Sequence, residues 1–396
     1  MTGIRIVRLA ARGDGVDETG RFIPGAVPGD RVDGDAVQAG PHRAEPVCRH
    51  FGRCGACQLQ HVDDETIAAF ARGRIESALA KAGLAAEMWA DTHVSPPKSR
   101  RRASLRAQTV GGALRVGFNE ESSRQVVEID ECHVLTPALF ALSQALREPL
   151  MDLMPKDWIC GLTLTETAAG HDVLISNLPE EAAGSAFGPD WMQANGVARI
   201  SAEDRGAAEP IAQAAQPSVT LGDMAVAFPA GAFLQATVDA EAALQRAVLD
   251  FTGGAARVAD LFCGLGTFGS VLAANSRVTA VDASGPSVSA LAAAAGAQSL
   301  PIKTLHRDLF RRPLSPKELS AFDAVVLDPP RAGARLQCEM AAKAELGRLA
   351  YVSCNPATFA RDAEILVAGG FTLKEVRPVA QFRWSTHVEL AARFER

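Results

Sequence analysis

At 396 residues the chain exceeds the length at which one hydrophobic core usually stops growing, so two or three domains are expected. Hydrophobic residues make up 47% and charged residues 22%, which excludes a disordered or fibrous chain. A formal net charge of -6 excludes a global positive field, so a nucleic-acid partner would have to be held by local patches.

The N-terminus carries Arg5 and Arg8 without an apolar signal-peptide core, and no run of about 18 apolar residues suggests a membrane span. A cytoplasmic protein with no membrane partner is expected. In that reducing compartment eight cysteines point to metal binding or nucleophilic chemistry rather than to a disulfide framework.

In chain order, Ile4-Arg5-Ile6-Val7-Arg8-Leu9 alternates like a strand, and turn signals follow at Gly13-Asp14-Gly15 and over 24–30. This predicts a small β-barrel ending near His42. Ile67, Phe70, Ile75 and Leu79 at helical spacing predict a helix over 63–83, with Gly83 as its C-cap. Lys98, Arg100, Arg101, Arg102 and Arg106 crowd nine residues, with Arg115 and Arg124 after them; this is a nucleic-acid contact or a solvated charged face. Alternating strands dominate 101–134, turning at Gly111-Gly112. Strands and loops alternate over 158–228, a mixed α+β pattern in which the polar, Ala-rich stretch 201–217 reads as an exposed connection.

From residue 239 the pattern becomes helix, strand, helix, strand: a helix over 239–251, strands over 257–261 and 277–282, a helix over 284–297 and a strand over 321–327. Such alternation predicts an α/β, doubly wound, mostly parallel sheet. The run Asp260-Leu261-Phe262-Cys263-Gly264-Leu265-Gly266-Thr267-Phe268-Gly269 follows a strand and opens a helix, where glycines let the backbone approach a ligand. A nicotinamide-binding fold could look similar. Asp282 closes the second strand, where a carboxylate can accept from both ribose hydroxyls, and Asp308 after the third could take an adenine amino group. A helix N-cap is the alternative role for either acid.

Asp328-Pro329-Pro330-Arg331 ends the fourth strand, and the prolines fix a turn that holds the acid at the ligand-binding edge of the sheet. The next strand, 350–353, delivers Cys354-Asn355-Pro356 to the same edge, just ahead of a helix over 357–367 whose N-terminus would favour a thiolate. Cys160 and Cys338 are better candidates for inert, buried thiols.

These residues resemble the RNA (uracil-5-)-methyltransferases. The matches are Asp-Leu-Phe-Cys-Gly-x-Gly from Asp260, Asp-Pro-Pro-Arg-x-Gly from Asp328, Ser-Cys-Asn-Pro-x-Thr from Ser353 and Thr-His-Val-Glu from Thr386, in family order. The resemblance implies three parts: an OB-like TRAM β-barrel for RNA binding over 1–45, a mixed α+β central domain over 46–228, and a Rossmann-like S-adenosylmethionine-dependent methyltransferase domain over 229–396. It also implies that Cys354 adds to uracil C6, so that C5 can attack the sulfonium methyl, and that Glu389 removes the C5 proton. Without the resemblance Glu389 reads as one surface carboxylate. The Phe-x-Gln motif at Phe233-Leu234-Gln235 adds Gln235 to a cofactor set of Phe262, Gly264, Gly266, Thr267, Asp282, Asp308 and Asp328. Asp282 departs from the usual Glu, and Trp384 is an unusual aromatic with no assigned role.

Five residues separate Cys48 from Cys54, two separate Cys54 from Cys57, and Cys132 follows after 74 more. Three close thiols and one distant one suit a [4Fe-4S] cluster, with zinc as the rival, although only one Cys-x-x-Cys pair is present. The family shares this cysteine set. The expectation is therefore a monomeric enzyme that methylates uridine C5 in structured RNA, 23S ribosomal RNA first and transfer RNA second. An amino-group methyltransferase would carry an aromatic in place of Arg331, and a noncatalytic iron-sulfur RNA-binding protein would not need Cys354 and Glu389.

Overall fold

Continuous apolar runs such as Ala324–Leu327 cannot face water on either side, and they become the middle of a parallel sheet. The computed structural model describes residues 3–34, 36–179 and 186–396. The main strands of this sheet are β1 (Arg257–Leu261), β2 (Arg277–Asp282), β3 (Ile302–His306), β4 (Ala324–Leu327), β5 (Arg348–Ser353), β6 (Thr372–Ala380) and β7 (Glu389–Glu395). Their order is β3-β2-β1-β4-β5-β7-β6, with β7 antiparallel between β5 and β6. The C-terminal ends of β1, β2, β4 and β5 therefore open on one edge, beside the start of β7.

The helices start where the sequence supplies caps. Thr237 accepts the Ala240 N–H ahead of Val238–Thr252, Ser284 accepts the Ser287 N–H ahead of Gly285–Ala297, and Asn355 accepts the Ala357 N–H ahead of Pro356–Ala368. Asp63 does the same for Asp64–Lys81, whose Ile67, Phe70, Ile75 and Leu79 are buried, as their spacing predicts.

Five short antiparallel strands between Ile4 and Gln38 form the N-terminal sheet, closed over Ile6, Ala26 and Val32. A second, seven-stranded sheet contains Arg102–Val110, Ala113–Asn119, Val126–Glu128, Ile159–Thr167, Gly170–Ser176, Val197–Asp204 and Ala207–Gln213. Its last two strands correct the expectation that 201–217 is a loop. They form a hairpin turning at Arg205-Gly206, both at positive φ. Ala207–Gln213 is an edge strand without β-branched residues apart from Ile211, and Pro210 is tolerated there because an edge leaves one row of N–H groups unpaired.

The three-part division is also revised in two places. Met88–Trp89 and His93–Val94 pair with β6, and Asp64–Lys81 packs against Pro356–Ala368, so residues 64–94 flank the parallel sheet rather than the middle one. The hairpin Ser218–Leu221/Met224–Ala227 contributes Val219, Leu221, Met224 and Val226 to the core shared with Leu244, Val258 and Leu291. Two-residue strands and a short hairpin carry too little periodicity to reveal their partners.

Candidate active site

The turn after β1 requires backbone that few residues adopt: Phe262 (φ 62), Gly264 (φ 53) and Gly266 (φ 89) are all left-handed. A Cβ on Gly266 would lie 2.6 Å from Leu291 of the Gly285–Ala297 helix, and its φ is one that residues with side chains rarely adopt, so glycine suits the position. A phenylalanine at positive φ costs about 1–3 kcal/mol and persists only when its surroundings enforce it. Here the Val281 carbonyl accepts the N–H groups of both Phe262 and Cys263, at 2.9 and 3.2 Å. The result aims the Phe262 ring into a cavity of about 980 Å³, where it meets Phe310 at 5.4 Å between ring centres.

Gln235, Phe262, Gly264, Thr267, Asp282 and Asp328 line this single cavity, and so do Cys354 and Glu389. Gly266 lies behind it in the role just described. Asp308 is spent on its own turn, accepting the Phe310 N–H at 2.9 Å and pairing with Arg311 at 3.4 Å, while Leu309 and Phe310 supply the wall. Asp282 is held by the Gly264 N–H (3.0 Å) and the Ser284 N–H (2.7 Å).

The loops that present Asp328 and Cys354 are tied together. The Arg331 carbonyl accepts from Asn355 Nδ2 at 3.0 Å and from Thr358 Oγ1 at 3.1 Å, so the Asp328 turn and the Cys354 turn move as one piece. Gly333 (φ 76) permits this, since a Cβ there would lie 2.5 Å from Asp362 Oδ2. Asp362 in turn accepts the Ala334 N–H and the Tyr351 hydroxyl, each at 2.6 Å. These contacts give Asn355, Thr358 and Gly333 physical roles in holding the two turns.

Glu389 is not a surface carboxylate: it is 4% exposed at the start of β7, and burial pushes its pKa up to about 7. Burial raises Asp328 well above the usual carboxylate range, with the charges of Glu389, Asp260 and Asp282 adding to it. Cys354 is half-buried, and its thiol is pushed up to about 11 by burial and then by Glu389 and Asp328, with Arg331 opposing. The helix N-terminus expected to favour a thiolate is thus outweighed in the free protein. Acids crowded in one dry cavity repel each other, and a cationic ligand relieves that repulsion.

Arg100, Phe382 and His387 also line the cavity and were not singled out as site residues. Arg100 stacks over the Phe382 ring at 5.1 Å, and Phe382 meets His387 edge-on at 6.0 Å. His387 stands inside the Thr-His-Val-Glu motif, which could have flagged it; Phe382 has no sequence signal. The arginine cluster is therefore not one surface. Arg101 donates to Glu241 at 2.7 Å with side-chain exposures of 12% and 6%, and Arg102 lies over Phe233 at 5.8 Å; only Arg106 stands out in solvent among the three. Arg101→Ala should cost about 3–5 kcal/mol in chemical denaturation because it strands a buried carboxylate. Arg106→Ala should leave stability unchanged and flatten the salt dependence of RNA binding.

Cys48, Cys54, Cys57 and Cys132 surround one small cavity under Phe51 and Phe118. Burial above all, with the charges of Cys132 and Cys48 adding to it in both, pushes Cys57 up to about 12 and Cys54 up to about 11. Four thiolates can share this space only when a metal centre compensates them. Four thiols that line one space are a donor set that either a [4Fe-4S] cluster or a zinc ion can use. Trp384 (φ 61) ties this loop to the parallel sheet, because its carbonyl accepts the Gln58 and Leu59 N–H groups at 2.7 and 2.8 Å.

A doubly wound sheet with its antiparallel seventh strand, and an acid-lined cavity at the C-terminal edge, define a class I S-adenosylmethionine-dependent methyltransferase. Residues 223–346 match the methyltransferase small domain family. The chain is 42% identical over 392 residues to an RNA methyltransferase of Zymomonas mobilis, across 98% of this chain and 99% of that one. It is 32% identical to the 23S rRNA (uracil(1939)-C(5))-methyltransferase of Pseudomonas putida, across 98% and 92%. The fold superposes on the Pyrococcus abyssi tRNA (uracil-54, C5)-methyltransferase, solved with S-adenosyl-L-homocysteine, with a TM-score of 0.72 at 22% identity over both whole chains. This chain belongs to the RNA (uracil-5-)-methyltransferase family.

Proposed function

We propose that the enzyme methylates C5 of a uridine in 23S ribosomal RNA, with Cys354 as the covalent nucleophile and Glu389 as the base. The observation that carries this reading is that a thiol and a buried carboxyl of raised pKa line the same cavity as the cofactor-type turn, although 35 positions apart in the chain. Uracil C5 is a weak nucleophile. Cys354 loses its proton to solvent, and addition of the resulting thiolate to C6 turns the ring into an enolate whose C5 can take a methyl group. S-adenosylmethionine, when bound, supplies that methyl as an electrophilic sulfonium substituent. Glu389 then accepts the C5 proton, the C5–H electron pair forms the C5=C6 double bond, and the C6–S bond breaks to release the thiolate. Asp282 suits the ribose hydroxyls, the Phe262–Phe310 pair suits the flat adenine, and Gln235, Thr267 and Asp328 complete the cofactor wall. Asp308 holds the adjoining turn at the adenine end.

Cys48, Cys54, Cys57 and Cys132 would hold a [4Fe-4S] cluster, which the methyl transfer does not need for electrons and which instead stiffens the loop that Trp384 anchors. The five-stranded N-terminal sheet serves as the TRAM-type RNA-binding module, and the enzyme works as a cytoplasmic monomer. The cysteine quartet and the 32% identity to the Pseudomonas putida enzyme support ribosomal over transfer RNA.

The test is to map 5-methyluridine in both RNA classes from a deletion strain. One 23S position should lose the modification, while loss confined to transfer RNA would overturn the substrate assignment. Protein purified from the same organism without oxygen should carry about four irons per chain; stoichiometric zinc would overturn the cluster.

A further inference from the structure

A second cavity adjoins the first, and no step of the reaction uses it. Its volume is about 420 Å³, and Gly55, Ala56, Ser104 and Phe118 line both spaces. Its floor is the open face of the seven-stranded sheet. Along Arg102–Val110, Ala103, Leu105 and Ala107 are buried on the far side, which leaves Ser104 and Arg106 on the near one. Across the ladder Ser104 stands opposite Thr163, Arg106 opposite Gly161, and Gly161 opposite Ser176, so these positions share one face. The Ser104 and Thr163 hydroxyls come within 3.4 Å of each other. A Cβ on Gly161 would lie 2.9 Å from Arg106 Nη1 and closer still to Ser176 Oγ, so glycine lets the guanidinium lie down across the sheet beside the serine. One wall is the loop between Cys54 and Cys57: the Gly55 N–H donates to the Asn119 carbonyl at 2.9 Å, and a Cβ on Gly55 would lie 2.8 Å from that oxygen. Among the described residues Arg106 is the only charged side chain in the lining.

We infer that this groove holds the sugar-phosphate of the nucleotide next to the flipped uridine, with Arg106 on its phosphate and the hydroxyls of Ser104, Thr163 and Ser176 on its ribose. The inference deepens the proposed function and rests on the uridine being methylated in the cavity that Cys354 lines. A flipped base stays joined to its neighbours, so the strand has to leave the first cavity along its rim, and the shared rim at Ser104 leads to a single positive charge and a row of hydroxyls. A guanidinium suits a phosphate, and hydroxyls can both donate to and accept from the ribose 2′-hydroxyl, the group that separates RNA from DNA.

The experiment uses a synthetic RNA stem-loop carrying the uridine mapped above, and the same stem-loop with a single 2′-deoxyribose on the 5′ or the 3′ side of that uridine. Each is assayed with wild type, Arg106→Ala and Ser104→Ala/Thr163→Val. In wild type one of the two deoxy substitutions should raise KM about three- to tenfold with kcat unchanged. The hydroxyl-free variant should show that raised KM already on the all-ribose RNA and lose nothing further on the deoxy one. Arg106→Ala should still discriminate, while the slope of log KM against log salt falls by about one. Wild type that ignores both deoxy substitutions overturns the inference, and this comparison needs no variant to fold. Full discrimination in Ser104→Ala/Thr163→Val, or an unchanged salt slope in Arg106→Ala, overturns it as well. Wild type that methylates no uridine in any RNA would instead overturn the proposed function on which the inference rests.

Discussion

Cys354→Ala is expected to reduce uridine methylation to background and to abolish the complex with 5-fluorouridine RNA that survives denaturing electrophoresis. The loss should be on the order of 10⁶-fold, the scale seen when a covalent nucleophile is removed from an otherwise intact site. The remaining groups do not replace it: no other cysteine is both half-exposed and in the cavity, since Cys263 is buried in the turn after β1 and the cysteine quartet lies in a separate pocket. S-adenosylmethionine binding should survive the change, because Asp282 and Phe262 belong to β1 and β2 and their loops, away from the Cys354 turn. The thiol's raised pKa adds a pH signature. A group pushed up to about 11 is protonated at neutral pH, so the rate of trapping by wild type should climb as pH rises, until the bound cation or the RNA brings the pKa down. A Cys354→Ala protein that still forms the complex would remove this residue from the mechanism.

How much of this was legible in the sequence depends on the kind of contact involved. The doubly wound sheet, its helices and the cavity edge were readable because each element is local: an apolar run ending in an acid or a glycine turn marks the end of β1, β2 and β4 without reference to anything distant. Cys354 was readable in the same way, from a proline turn between a strand and a helix. Glu389 was not readable locally, since its burial comes from β5 and β6 on either side, neither of which a seven-residue strand pattern reveals. The arginine cluster failed for the opposite reason. Alternation along Arg102–Val110 correctly separates two faces, but Arg101 precedes the strand and meets Glu241, 140 positions away, in an ion pair that composition cannot foresee. Asp308 shows a further limit: the sequence put an acid after β3, and the structure uses that acid to hold the turn that presents Phe310.

Glu389→Gln should separate the two halves of the reaction. In the proposed mechanism methyl transfer needs the Cys354 adduct and an electrophile, so the variant should still methylate; proton removal from C5 needs a carboxylate, so the methylated adduct should persist instead of resolving. Denaturing gels would then show a stable protein–RNA complex carrying label from methyl-labelled cofactor on unmodified RNA, while multiple-turnover rates fall by about 10²–10⁴-fold, the usual contribution of a positioned base. The pH dependence fixes the sign. Burial raises Glu389 from 4.5 to about 7, so the carboxylate form, the one able to take a proton, is the minor species below pH 7 and the major one above it. Adduct resolution in wild type should therefore rise with pH through about 7, where an exposed glutamate would have reached its plateau near pH 5, and the variant should lose that limb altogether. An adduct that resolves at the wild-type rate in Glu389→Gln would assign the proton to another group. Asp328 would be the first to test, because it shares the cavity and its own carboxyl is pushed up by burial and then by Glu389.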